Sequence, residues 1–335
     1  MTALNNALGE FDLIQRFFKR KLTGQPFIAL GIGDDCALLE NLPESSNWAI
    51  STDMLVEGRH FLPNADPYLL GHKCLAVNLS DLAAMGAKPI GFTLALALPH
   101  AKVEWLEPFS KGLLALADEH QCTLFGGDTT AGPLTISITV FGAVPKGQAL
   151  KRSQAKVGDD IWVSHNVGDA RLALGALRQE WALDTQELAL VTPRMHAPTP
   201  RVALGQSLLN HAHAAVDVSD GLLGDLSHIL RQSQVCAEIM IDQVPSSETL
   251  QSKSTELRRL CTLMGGDDYE LCFTAPSSEA AYIHQISSQL QLKLTKIGKI
   301  TPSNSTSFIR LMDQDGEPLP EKLAEQYLKS FDHFK

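Results

Sequence analysis

The chain has 335 residues, 28 Lys and Arg against 38 Asp and Glu for a formal net charge of -10, and an apolar content of 44%. At roughly 100–200 residues per domain, that is enough chain for two domains, each burying a core of its own. The acidic balance, with no run of Lys or Arg, excludes a surface built for nucleic acid or anionic lipid. Phe11, Ile14 and Phe18 recur at helical spacing, which predicts an amphipathic helix over 10–22 leading into a short strand at 27–30. Residues 47–51 read as a strand ending at Thr52-Asp53, and 69–85 as a largely buried helix stopped by Gly86. Strands at 93–98, 122–125 and 135–144 then alternate with a helix over 105–120.

The polar segment 145–158 separates this block from a second strand and helix series that begins at 161–164. Two domains are therefore expected, 1–148 and 149–335. In the second, helices are predicted at 169–178, 201–209 and 222–231, and strands at 214–218, 237–241, 269–274 and 294–297. Both halves read as α/β. Ser80-Asp81 precedes Gly126-Gly127-Asp128, and Ser219-Asp220 precedes Gly265-Gly266-Asp267, with the same spacing of 47 residues between the aspartates. Two related half-domains would produce that echo, and so would coincidence.

Cys36, Cys74, Cys122, Cys236, Cys261 and Cys272 are scattered, with no C-x-x-C pair that suggests zinc. Glu10 and Asp12 stand before any apolar stretch, so no secretory signal is expected. The longest apolar tract, 82–99, is interrupted by Gly86, Lys88 and Pro89 and falls short of the roughly 20 residues that span a bilayer. A cytoplasmic protein without membrane or nucleic-acid partners is expected.

The informative feature is where the acid sits. Asp34-Asp35 follow G-I-G, Asp53 ends a strand, Asp81 lies in an apolar helix, and Asp128 follows a double glycine. Asp217 and Asp220 bracket V-S at a strand end, and Asp267-Asp268 follow another double glycine. Small residues let a ligand approach the backbone at such places. Basic residues nearby are few, so the natural counter-charge is a hard divalent cation such as Mg²⁺ or Mn²⁺, which joins carboxylates to substrate phosphates. Each aspartate taken singly also reads as a helix cap or solvated turn. Asp81, mid-helix among Leu79, Leu82 and Ala83, gains nothing as a cap. No Walker loop, kinase H-R-D with D-F-G, complete G-x-G-x-x-G or G-x-S-x-G elbow occurs, which disfavours P-loop, protein-kinase and serine-hydrolase chemistry.

Taken in order, G-I-G-D-D-C-A-L-L at 31–39, S-T-D at 51–53, N-L-S-D-L-A-A-M-G-A at 78–87, G-G-D-T-T at 126–130, D-V-S-D-G-L at 217–222 and G-G-D-D-Y-E-L-C-F at 265–273 resemble the thiamine-monophosphate kinase family. The resemblance spans nearly the whole chain. It implies the two-domain α/β fold of the aminoimidazole ribonucleotide synthetase-like superfamily, with mixed sheets flanked by helices and a homodimer formed through the N-terminal domain. It also implies ATP-dependent phosphorylation of thiamine monophosphate to thiamine diphosphate, with several Mg²⁺ ions and ATP as co-substrate. Another ATP-dependent synthetase of the superfamily and a metal-dependent phosphohydrolase are the alternatives. Position by position, the resemblance assigns Asp35, Ser51, Thr52, Asp53, Asp81, Asp128, Asp217 and Asp220 to Mg²⁺, with Asp81, Asp128 and Asp217 as the catalytic acids. Gly127, Asp128, Arg152 and Ser219 are assigned to ATP, and His60, Asp267 and Phe331 to the thiamine side. The family pattern has Glu where this chain has Asp267, and Tyr or Trp where it has Phe331.

Overall fold

The computed structural model describes residues 10–20, 26–32, 36–303 and 308–328. Asp35 and Phe331 lie outside the described residues. The chain divides into two compact units, one of 1–82 with 88–146 and one of 83–87 with 147–335.

The first unit opens with α1 (Glu10–Leu13), which runs into a π-helical turn at Ile14–Phe18. The helix expected over 10–22 therefore ends early, with Lys19 extended at its C-cap. Strands β1 (Ile28–Leu30) and β2 (Leu38–Leu39) pair antiparallel. The main sheet holds β3 (Ser46–Val56), β4 (Lys88–Leu98), β5 (Thr123–Ala131) and β6 (Thr135–Pro145) in the order β3-β6-β4-β5, antiparallel except for the β4–β5 pair. Helices α2 (Pro67–Ala84) and α3 (Val103–Glu119) complete the unit.

Every residue of α2 from Lys73 to Ser80 is buried, so the helix is apolar nearly all round and its polar members need partners inside the protein. The α2 and α3 backbones touch. A Cβ on Gly71 would lie 2.1 Å from the Phe109 carbonyl oxygen, and one on Gly112 would lie 1.9 Å from that of Tyr68. Fully buried Leu75, Leu79, Leu106, Phe109 and Leu113 from the helices, with Phe92, Ile136 and Ile138 from the sheet, belong to the core. The other sheet face is treated unevenly. Around Trp48, Phe125, Phe141 and Ala143 it is packed by Phe27, Ile28, Ala37 and Leu42, whereas Ile50 and Met54 are 59% and 57% exposed.

The second unit is built on a six-stranded mixed sheet. Its strands are β7 (Asp160–Ser164), β8 (Ala214–Asp217), β9 (Cys236–Met240), β10 (Leu271–Ala275), β11 (Leu294–Thr301) and β12 (Ile309–Met312), in the order β12-β9-β11-β7-β10-β8. Only β12 and β9 run parallel. Strands β7, β8 and β10 are buried at every position, which explains their continuous apolar runs. The helices are α4 (Asp169–Leu177), α5 (Thr185–His196), α6 (Val202–Ser207), α7 (Leu222–Ser233), α8 (Glu248–Gln251), α9 (Thr255–Met264), α10 (Ala280–Gln289) and α11 (Glu321–Tyr327). Leu222, Leu223, Leu226, Ile229 and Leu230 of α7 form one apolar stripe in the core with Val163, Val216 and Ile239 of the sheet.

The internal echo does not mark like structures. Asp81 lies within α2 while Asp220 lies in the turn before α7, and Gly126-Gly127-Asp128 is part of β5 while Gly265-Gly266-Asp267 is the loop between α9 and β10.

Candidate functional site

In the first unit, the alternation of β3 turns Ser51 and Asp53 to the side of half-buried positions and Thr52 and Met54 to the exposed side. Ser51 Oγ donates to Asp81 Oδ2 at 2.5 Å. One helical turn earlier, buried Asn78 accepts the Asp53 backbone N–H on Oδ1 at 3.2 Å and donates through Nδ2 to the Cys74 carbonyl at 3.0 Å. Asn78 and Asp81, at i and i+3, share a helix face. That is the structural content of N-L-S-D: one residue pins β3 to α2, and the other presents a carboxylate beside the pinned strand. Thr52 is directed elsewhere, with its hydroxyl 2.8 Å from that of Thr139.

Asp128 occupies a different row of the sheet. It pairs with Ala95, which pairs with Ser137, which pairs with Met54, so these four side chains share the face that carries exposed Met54. A bulge between Phe92 and Thr93 on one strand and Leu124 and Gly126 on the other leaves Phe125 unpaired with β4. Gly127 follows at φ +146°, and a Cβ there would lie 1.9 Å from the Leu94 carbonyl oxygen. The second glycine is thus required by the ladder itself, independently of any ligand. His60 sits in a tight turn after β3, where its Nδ1 accepts the Val56 N–H at 3.0 Å and leaves the proton of the neutral ring on Nε2. A cavity of about 290 Å³ near this turn is lined by Glu57, Phe61, His100, Lys102 and Trp105 among others, and by none of the residues assigned from sequence.

In the second unit, Asp217 ends β8 at 4% exposure, and Ser219 and Asp220 follow in the turn before α7. Asp225, in the first turn of α7, accepts three backbone N–H groups on Oδ2, from Ser219, Asp220 and Gly221. Burial pushes its carboxyl up to about 7, against the opposing effect of those bonds. The Arg152 carbonyl accepts from Ser233 Oγ of α7 at 2.7 Å, and the Arg152 charge acts on Asp225 and His228 of the same helix. The Ser219 carbonyl accepts the Asp267 N–H at 2.9 Å, so the G-G-D-D loop lies against the D-V-S-D loop. Asp267 itself takes a left-handed φ of +68° and its Oδ1 accepts from Tyr269 Oη at 3.2 Å.

The two acids that follow are turned inward. Asp268 accepts the Gly168 N–H on both oxygens, at 2.9 and 2.8 Å, and burial raises its pKa well above the usual carboxylate range. Glu270 forms a bidentate pair with Arg201, at 2.6 and 2.5 Å, and accepts from Ser164 Oγ at 2.5 Å.

Ser51, Asp53, Asp81 and Asp128 in the first unit, and separately Asp217 and Asp220 in the second, offer oxygen donors only, which fits Mg²⁺ and argues against zinc. Among the described residues no three of His, Cys, Asp or Glu gather as a metal-holding group. An ion that retains waters and takes further ligands from substrate phosphates needs no such cage.

Residues 33–144 match the N-terminal domain model of AIR synthase related proteins, and residues 156–310 match the C-terminal one. Thiamine-monophosphate kinase of Salmonella typhimurium is 44% identical over 331 residues, covering 98% of this chain and 99% of its own. The chain belongs to the thiamine-monophosphate kinase family. Among solved structures, the family member from Stenotrophomonas maltophilia is 46% identical with a TM-score of 0.81, covering 88% of this chain and 93% of that one. AaThiL complexed with AMPPCP and TMP is 28% identical with a TM-score of 0.72, covering 83% and 87%. Against the thiamine-monophosphate kinase motifs, the roles that sequence reasoning missed are those of Asn78 and Asp225, each of which positions a motif backbone, and of Asp268, which ties its motif to the Gly168 N–H. An Asp in the first turn of a helix reads as an ordinary favourable dipole charge, and only its three converging bonds single out Asp225.

Proposed function

We propose that this chain transfers the γ-phosphoryl group of ATP directly to the phosphate of thiamine monophosphate, giving thiamine diphosphate. The observation that carries this reading is identity of 44% with a thiamine-monophosphate kinase over essentially both full lengths. The acceptor phosphate, with a second pKa of about 6, is mostly dianionic at neutral pH and needs no strong general base. The obstacle is electrostatic, since two unit charges at 4 Å repel by about 1 kcal/mol in water and more in a drier site.

Mg²⁺, when bound, neutralises and aligns the two phosphates, and positioning with electrostatics dominates phosphoryl transfer. In the first unit, the residues proposed to hold separate ions among several Mg²⁺ are Ser51, Asp53 and Asp81 at one face of the sheet, and Thr52 and Asp128 at the other, with Asp35. In the second unit they are Asp217 and Asp220. Gly127, Asp128, Arg152 and Ser219 are proposed to meet ATP, with Arg152 as the phosphate clamp. His60, Asp267 and Phe331 are proposed for the thiamine side. The exposed sheet face around Ile50 and Met54 is proposed to pair two copies as a homodimer. A cytoplasmic setting is supported by six free cysteines, five of them buried.

The test is incubation with ATP, Mg²⁺ and thiamine monophosphate, with the products separated by chromatography. Thiamine diphosphate and ADP in equal amounts are expected, and labelled ATP without acceptor should leave the protein unlabelled. Inorganic phosphate without thiamine diphosphate would replace this reading with a phosphohydrolase.

A further inference from the structure

The second unit holds a carboxylate to which the proposed reaction gives no role. Asp225 is 4% exposed, and its Oδ2 lies 2.9, 3.0 and 3.1 Å from the backbone nitrogens of Ser219, Asp220 and Gly221. Successive amides turned toward one point make an anion-binding concavity. Here the chain's own side chain fills it. Three N–H groups converging on one oxygen hold three consecutive peptide planes, whether or not the carboxyl carries its charge. With those planes held, the Cα–Cβ directions of Ser219 and Asp220 are held as well. On its other side, the Ser219 carbonyl accepts the Asp267 N–H at 2.9 Å, and the Val218 carbonyl accepts that of Tyr269 at 2.8 Å. The loop is therefore clamped between Asp225 and the 265–269 segment.

We propose that Asp225 is a positioning residue for phosphoryl transfer, holding the 218–221 turn so that Ser219 and Asp220 engage ATP and its Mg²⁺, and transmitting that geometry to Asp267 through the Ser219 carbonyl. The inference rests on the functional reading above and extends it to a residue that touches neither substrate. A residue serving only as a brace for α7 would, when lost, lower the melting temperature and the active fraction and leave each KM unchanged.

The experiment compares Asp225→Ala, Asp225→Asn and Asp220→Asn in the full chain. It measures kcat, KM for ATP, the Mg²⁺ concentration at half-maximal rate, and the melting temperature. Asp225→Ala should raise KM for ATP and the Mg²⁺ requirement about tenfold. Asp225→Asn, whose amide oxygen can still accept the N–H groups but without charge, should raise them about threefold. If the alanine variant does not fold, the asparagine variant decides alone. Values of KM and Mg²⁺ requirement within twofold of wild type in the folded Asp225 variants, beside a clear defect in Asp220→Asn, overturn the positioning role and leave the functional reading standing. A normal Mg²⁺ requirement in Asp220→Asn removes the metal assignment of the loop, and the positioning role falls with it.

Discussion

Asp81 shows most directly how a single residue is made functional by its surroundings. Its helix buries every position from Lys73 to Ser80, and its carboxylate meets the Ser51 hydroxyl at 2.5 Å on the strand that also carries Asp53. A carboxylate in this position costs desolvation, and a cation beside it offsets that cost. Asp81→Asn keeps the shape and removes the charge. It should lower kcat by about 10²-fold, roughly 2.7 kcal/mol on the barrier scale, while the melting temperature stays within a few degrees of wild type. Steady-state turnover at saturating Mg²⁺, with calorimetry on the same sample, checks both parts, and near wild-type turnover removes Asp81 from the metal-holding set. Asp81 was legible in the sequence because an acid among Leu79, Leu82 and Ala83 has no local use. Asp268 was not, because an acid after a double glycine gives no sign that it bonds a backbone N–H 100 residues away instead of facing a ligand.

At the scale of elements, the crossing of α2 and α3 depends on two glycines. In most helix interiors Gly→Ala gains about 1 kcal/mol. Gly112→Ala should instead cost about 1–3 kcal/mol, because its Cβ would stand 1.9 Å from the Tyr68 carbonyl oxygen and the helices must separate. A fall in melting temperature of several degrees by calorimetry is expected, and an unchanged or higher value would mean that the two backbones do not meet there. Helix α5 illustrates a different limit of sequence reading. Asp184 and Glu187 form a capping box, a pattern visible as D-T-Q-E, yet Pro193 within the helix and the weak apolar periodicity of 185–196 hide the element. Strand β5 is legible as apolar at 122–125, but its continuation through two glycines to Ala131 depends on the ladder with β4.

For the whole molecule, the unevenly covered sheet of the first unit is the feature with a consequence in solution. Ile50 and Met54 stand four residues, roughly 13 Å, apart on one exposed strand face, where a monomer gains nothing from them. Ile50→Lys combined with Met54→Lys should convert the proposed dimer into a monomer without unfolding it, since both side chains already face solvent within the chain. Light scattering after size-exclusion chromatography reads the mass directly, and a wild-type chain that already elutes as a monomer would discard the homodimer.

The sequence by itself determined the α/β class, the division into two blocks, the family and the order of its acidic motifs. The class and the two blocks rest on local periodicity and composition, and the family on the resemblance of six motifs in order, none of which needs knowledge of the fold. Only the tertiary structure decided which face each acid takes. The pleat of β3 separates Thr52 from Ser51 and Asp53, and the pairing register carries Asp128 to the row of Met54. Tertiary structure also turned Asp225, Asp268 and Glu270 toward the protein interior. The partner of Glu270 on β7, Ser164, is 106 residues away, and a bond over that separation leaves no trace in any local pattern. Periodicity reports what a segment can bury, whereas the position of a buried charge is set by which distant donors the fold brings to it.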